Sequence, residues 1–208
     1  MGRSRRLSAA APLLLGLCLA GCLRLPEPED PNRFARLDAS GAPVRPDEPH
    51  RCVLDHRSSL TWAVPRPGDA LLDPAHRYTW YSEDAAQHLG HPGQPGGGRC
   101  GAERCDTAAL VEAVNAAGLC GHRDWRLPSR EESIALGKRH AGHPIGLHPE
   151  LFPGLGPGEL WTATTFRMYA QSAWALDPGN GLDRVDLKTE AKAVRLVRGT
   201  MTLRRRDG

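Results

Sequence analysis

Aromatic residues are scarce in this chain of 208 residues: three Phe, three Tyr and five Trp, 5% of the total. With so few rings available, Trp62, Trp80, Trp125, Trp161 and Trp174 are the expected core anchors, Trp125 and Trp161 above all, rather than a sugar-stacking platform. Charge of one sign is scarce too. The formal net charge is +3, and Arg3, Arg5 and Arg6 account for all of it, leaving 24 basic against 24 acidic residues in the rest. A neutral body lacks the clustered basic face that phosphate recognition needs, which excludes a nucleic-acid-binding class. The apolar run at 9–20 (AAAPLLLGLCLA) is also too short for a bilayer crossing, which takes about 20 residues. What the chain has in quantity is Gly (23) and Pro (18), which imply short elements and many turns, and six Cys.

The N-terminus reads as an address. Arg3, Arg5 and Arg6 form a basic n-region, 9–20 an apolar h-region, and Leu19-Ala20-Gly21-Cys22 resembles a bacterial lipobox. Small residues at 20 and 21 admit a peptidase, and the Cys22 thiol is the acceptor for a diacylglycerol. Residues 1–21 are therefore expected to be a lipoprotein signal peptide, with Cys22 as the lipid attachment site. Leu23, not Asp, follows it, which in a two-membrane cell implies the outer membrane. Residues 22–50 are rich in Pro and charge without sustained apolar periodicity, so they read as a tether, with Phe34 and Leu37 the only candidates to pin it. Residues 200–208, with Arg204, Arg205 and Arg206, read as a solvated basic tail.

Cys18 leaves with the signal and Cys22 takes lipid, so Cys52, Cys100, Cys105 and Cys120 remain. An even count in an exported chain implies disulfides, and four cysteines allow three pairings. Residues 106–117 read as a helix, with Asp106 as N-cap, Leu110, Val111 and Val114 on one face and Gly118 as terminator. A helix between Cys105 and Cys120 would hold them about 16 Å apart, against the roughly 5.5 Å a disulfide needs. Cys100–Cys105 as a local loop and Cys52–Cys120 as a long staple are preferred. Zinc at Cys100-x4-Cys105 lacks a second pair at finger spacing. His140, His143 and His148 lie in a Gly/Pro-rich stretch and are expected at the surface. No metal or cofactor is expected.

Residues 51–64 read as a β-hairpin. Residues 78–90 begin aromatic and end helix-like, and 91–104 is a loop. A short strand at 124–127 stops at Pro128. Ser129 and Glu132 then form an S-x-x-E capping box opening a helix with Ile134 and Leu136 inside. Residues 141–159 form another Gly/Pro-rich loop, with Leu151, Phe152 and Leu155 folding back. Strands follow at 160–166, 172–177, 182–188 and 193–198, with a turn at 177–181. Strands around two helices, then a run of strands, give an α+β class rather than a wound parallel sheet.

CVLDHRSSLTW (52–62), YTWY (78–81), CDTAALVEAVNAAGLCGHRDWRLPSREE (105–132), LWTATTF (160–166), SAW (172–174) and VRLVRG (194–199) occur in this order. The chain resembles the Legionella collagen-like protein C-terminal domain family over 51–199. The resemblance implies a C-type-lectin-like domain: two helices packed on a small, twisted, mainly antiparallel sheet, closed by its terminal strands. It also implies a binding role, since the founding member is an adhesin associated with sulfated polysaccharides. It carries no ligand-contact motif. The triplets of calcium-dependent lectins are absent, with Gln94-Pro95-Gly96 and Pro178-Gly179-Asn180 only incomplete likenesses, so a hard-cation sugar site is not expected.

The expectation is a non-catalytic, lipid-anchored envelope binding or adhesion module, with a glycan or envelope protein as partner. Docking to another envelope protein is the alternative. Enzymes of the formylglycine-generating kind share the superfold but need a reactive cysteine pair, and no Ser/His/Asp order or paired-carboxylate motif stands out here. Glu132 is better explained by capping than by acid–base work.

Overall fold

The structure, a computed structural model, describes residues 31–140, 143–154 and 158–202. The signal peptide with Cys22, Leu155 and the tail arginines Arg204, Arg205 and Arg206 lie outside the described residues.

The chain is α+β, built on mixed, mostly antiparallel sheets. The first sheet runs β12-β4-β3-β1-β2, from Val197–Arg198, Leu60–Ala63, Cys52–Asp55, Phe34–Leu37 and Pro43–Val44. The second runs β10-β9-β8-β11-β5, from Asp183–Leu187, Ser172–Leu176, Leu160–Thr165, Ala191–Val194 and Tyr78–Thr79. A third, two-stranded ribbon joins β6 (Lys138–His140) to β7 (His143–Gly146). Among the described strands, only β8 and β11 pair in parallel. The α-helices among the described residues are α1 (Ala85–His88), α2 (Thr107–Ala117) and α3 (Arg130–Leu136).

Period-2 alternation makes the first sheet a partition between two cores. Cys52, Ala63 and Leu196 face one core with α2, Trp80, Trp125 and Trp161. Val53, Leu60, Trp62 and Val197 face the other, with Leu136, Leu151 and Phe152. A one-residue slip in β3 or β4 would exchange the two sets, so register is strongly specified. Trp125 and Trp161 are buried anchors as expected, and so are Trp62 and Trp80. Trp80 Nε1 donates to Thr162 O and Trp161 Nε1 to Tyr78 O, each at 2.9 Å.

The helix signals hold at residue level. Asp106 accepts from Ala109 N at 2.8 Å, and Gly118 ends α2 in the left-handed region at φ 68°. Ser129 and Glu132 form the reciprocal capping box. Burial alone pushes the Glu132 carboxyl up, but Arg126 and the Ser129 N–H together hold it below its ordinary value. Arg126 grips both Glu132 oxygens at 2.7 Å and donates to Gly199 O at 2.8 Å, tying α3 to the end of β12.

Several expectations are corrected. Residues 22–50 are not a tether throughout. Phe34–Leu37 pairs with β3 over four residues, from Phe34↔Asp55 to Leu37↔Cys52, and Pro43–Val44 adds an edge beyond it. A four-residue strand with one fully buried position vanishes in a Pro-rich average, and Pro43 sits in the edge strand β2, where a missing donor is tolerated. The single small sheet is two five-stranded sheets and a ribbon. The strand at 193–198 divides: β11 belongs to the second sheet, β12 to the first, and Arg195-Leu196 cross between them. Of 124–127 only Arg126 forms a bridge, to Val197. The loop expected from 141 carries β7, paired with β6, because a chain reversal can close a ribbon without apolar alternation. His148 is not a surface residue. It is 1% exposed and packs edge-on against Phe34 at 4.6 Å, where the "tether" strand covers it.

Lys188 binds the 82–92 segment to the second sheet. Its buried ammonium donates to His91 O at 2.7 Å and lies 3.9 Å from the Trp80 ring, with no carboxylate pairing it among the described residues. Burial pushes its pKa down from 10.5 to about 8. The unfolded chain therefore holds the extra proton above pH 8, and stability rises with pH until about 10.5. Arg195 acts in the same direction from about 9. Tyr78, held above its ordinary value by burial and by Asp69 and Asp73, opposes above pH 10. Urea unfolding should thus show a gain of about 1 kcal/mol from pH 7.5 to 9. Lys188→Met should lose most of that gain; an unchanged pH profile in the variant would refute the assignment.

Candidate functional site

The cysteines expected to be structural are paired. Cys52 joins Cys120, with Cα atoms 6.6 Å apart, and Cys100 joins Cys105 at 5.6 Å. No thiol among the described residues is left to act as a nucleophile. His140 and His143 face each other in the ribbon register, but their side chains lie outside what is described. Among the described residues no cluster of His, Cys, Asp or Glu is arranged to hold a metal.

The tryptophan that is not core is Trp174. It lies on the face of β9 shared with Val185 and Asp183 of β10, and it is half-buried. The β8–β9 register shifts between Trp161 and Thr165, so three β8 residues oppose Trp174. Such a bulge twists a strand and re-aims its side chains. Two threonines fix it: Thr162 Oγ1 donates to Trp174 O at 2.8 Å, and Thr164 Oγ1 accepts from Arg130 N at 2.9 Å. The second contact docks the start of α3 onto the bulge. The Arg130 guanidinium then lies 4.0 Å from the Trp174 ring centre and pairs with Asp183.

Beyond Trp174 the rings continue outward. Phe166 meets Trp174 edge-on at 5.6 Å, and Tyr169 stacks on Phe166 at 6.1 Å. Backbone bonds from Phe166 N to Ser172 O (2.8 Å) and Ser172 N to Tyr169 O (2.9 Å) hold the connecting loop in tight turns. At its tip Met168 is 77% and Tyr169 58% exposed. The result is a ledge with an anchored root and an open apolar tip, flanked by the Arg130–Asp183 pair. A ring of this kind offers an apolar face to the C–H side of a sugar or to an apolar side chain, while charged groups beside it receive hydroxyl or amide hydrogen bonds.

A groove of about 340 Å³ near Cys120 competes with the ledge. Leu71, Leu72, Val114 and Leu119 line it, and Arg51 stands at its polar end. Arg51 is paired there with Asp69, whose Oδ1 already accepts from Leu71 N and Leu72 N at 2.9 and 3.0 Å. That carboxylate is committed to the fold, which leaves the groove without a convergent polar set.

A family model, the Lcl C-terminal domain, matches residues 51–198. The chain belongs to this family. All the ledge residues fall within the matched stretch, whereas β1 and β2 precede it. Within the matched stretch, Asn115 and Trp125 are tied directly. Asn115 Nδ2 donates to Trp125 O at 2.9 Å and its Oδ1 accepts from Trp125 N at 2.7 Å, so one amide clamps both sides of the tryptophan backbone. Neither the curated proteins nor the solved structures contain a match.

Sequence reasoning did not single out Phe166, Tyr169, Arg130 or Asp183. The signal available was weak: FRMY at 166–169 places three large side chains in a loop, where a folded chain has no core reason to spend them.

Proposed function

We propose that the protein is a non-catalytic binding or adhesion module, of C-type-lectin-like architecture, held to the bacterial envelope by a lipid on Cys22, with polysaccharide as its ligand class. The observation that carries the reading is the ledge: Met168 and Tyr169 stand exposed on a loop braced by Phe166, Trp174 and Arg130. Rigid exposed aromatics lose little entropy on binding, which is why they serve as anchors. The lipobox, and Leu23 after it, support export and retention at the outer membrane. The commitment of the four domain cysteines to disulfides weighs against thiol chemistry of the formylglycine-generating kind. A second reading, docking to another envelope protein, draws on Leu182 and Leu187, which expose apolar surface beside β10.

One experiment tests anchor and site together. Membranes from cells making the full chain are assayed against an immobilised polysaccharide array. Tyr169→Ala should leave the chain in the membrane and unchanged in melting temperature while weakening capture about tenfold. Cys22→Ala should abolish membrane capture by releasing the chain. Array signals at background for the wild type, or full capture by Tyr169→Ala, would refute the polysaccharide reading. Co-purification of one stoichiometric envelope protein, lost with Leu187→Asp, would establish the second.

A further inference from the structure

We propose that Arg195 and the indole N–H of Trp62 hold a small, weakly hydrated monovalent anion of the halide class inside the second core. Arg195 lies where the chain crosses from β11 to β12, and it is 2% exposed. Among the described residues, none of its Nε, Nη1 and Nη2 atoms has a hydrogen-bond partner. Burial pulls its pKa down to about 9, so it still carries its charge at neutral pH. The buried acids of the same region are already committed: Asp55 to Arg33, and Glu132 to Arg126. The Phe152 ring lies 3.9 Å from the guanidinium carbon. A ring over the face of a guanidinium balances part of its charge but accepts none of its in-plane N–H groups.

A second orphan donor lies on the same side of the strand pair. Val197 pairs with Trp62, and Ala63 N donates to Leu196 O at 3.0 Å, so the antiparallel register continues back to residue 195. Residues 195 and 197 therefore point to the same side of the sheet as Trp62, diagonal neighbours across one strand pair. The Trp62 Nε1 hydrogen is also without a partner among the described residues. The core on this side of the sheet is otherwise built from apolar side chains, among them Val53, Leu60, Leu160, Leu176 and Val197.

One full positive charge, N–H donors left unpaired on the same side of the sheet and an apolar core define the ligand. It must be an acceptor only, carry one negative charge, make no directional demand and shed water cheaply. Chloride and bromide meet all four conditions. Fluoride and sulfate are too strongly hydrated to enter an apolar core. A water molecule could accept two of the N–H bonds but would leave the charge uncompensated.

The full chain, purified in detergent, is melted in sodium gluconate at fixed ionic strength with increasing chloride, bromide or fluoride. Chloride and bromide should raise the melting temperature by several degrees along a saturating curve, and fluoride should not. Arg195→Met keeps a similar buried volume without the charge, and its melting temperature should not respond to halide. Trp62→Phe removes one N–H and keeps the ring, so it should fold and weaken the apparent halide affinity about tenfold. Crystals grown in bromide should show an anomalous peak beside Arg195. A halide-independent melting temperature in the wild type, an undiminished response in Trp62→Phe or Arg195→Met, or no peak in bromide would overturn the site in favour of water.

Discussion

Replacing Cys52 and Cys120 together by alanine should cost about 4 kcal/mol and lower the melting temperature by about 8–16 °C. The bridge spans 68 residues, so its loss returns the closure entropy of a long loop to the unfolded chain. Both cysteines are fully buried in the first core, so the folded state loses contacts as well. The bridge ties the first residue of β3 to the turn that follows α2. Cys120 sits in the left-handed region at φ 49°, just after α2, and a Cβ at Gly41 would meet its carbonyl oxygen at 2.6 Å, so the 38–42 turn wraps it closely. The matching double variant of Cys100 and Cys105, whose loop is five residues, should cost only about 2 kcal/mol. Urea unfolding of the two variants side by side checks the ranking. Equal losses would show that local strain or packing, not loop closure, sets the contribution of the long bridge.

Arg33→Ala should destabilise the protein by about 3–5 kcal/mol, although residue 33 lies well before the family-matched stretch. Its guanidinium donates to both oxygens of Asp55, at 3.1 and 2.9 Å, and to Ala135 O at 3.0 Å. Asp55 is 1% exposed, so removing Arg33 leaves a buried carboxylate with little more than the Arg57 N–H at 3.0 Å. Removing one partner of a buried pair costs far more than the pair itself contributes, because the desolvation penalty of the survivor stays. Adding Asp55→Ala to Arg33→Ala should therefore recover part of the loss, a coupling that a double-variant cycle measures directly. A tether would give a different result: below about 0.5 kcal/mol for Arg33→Ala, and no coupling to Asp55.

Local chemistry was readable where it is complete within a few residues. Asp106 and Gly118 bound α2 because a cap needs only a side chain or backbone freedom two to four positions away. The Ser129–Glu132 box works the same way. The β3–β4 hairpin was visible in the alternation around Leu60 and Trp62. The helix that separates Cys105 from Cys120 removed one of the three cysteine pairings, and of the two left the structure has the preferred one, with Cys100–Cys105 as a local loop. Phe34–Leu37 was obscured because its partner strand lies beyond a Pro-rich turn and its burial is one-sided. His148 was misplaced for the same reason: what covers it is Phe34, from the segment read as a tether.

The candidate site divides along that line. Trp174 could be named from the sequence but not told apart from the four buried tryptophans. All five stand at or beside strands, and what differs is how many layers cover each one. Arg130 and Asp183 meet across 53 residues only because the bulge in β8 receives the start of α3.

By itself, then, the sequence determined the α+β class, the caps and the family, since each depends on contacts within a turn or on an ordered string of motifs. The tertiary structure alone decided which segments share a sheet, which aromatics stay at the surface and which buried charges lack a partner. Those outcomes depend on the packing of strands far apart in the chain, and no local periodicity encodes the neighbour that a side chain finally meets.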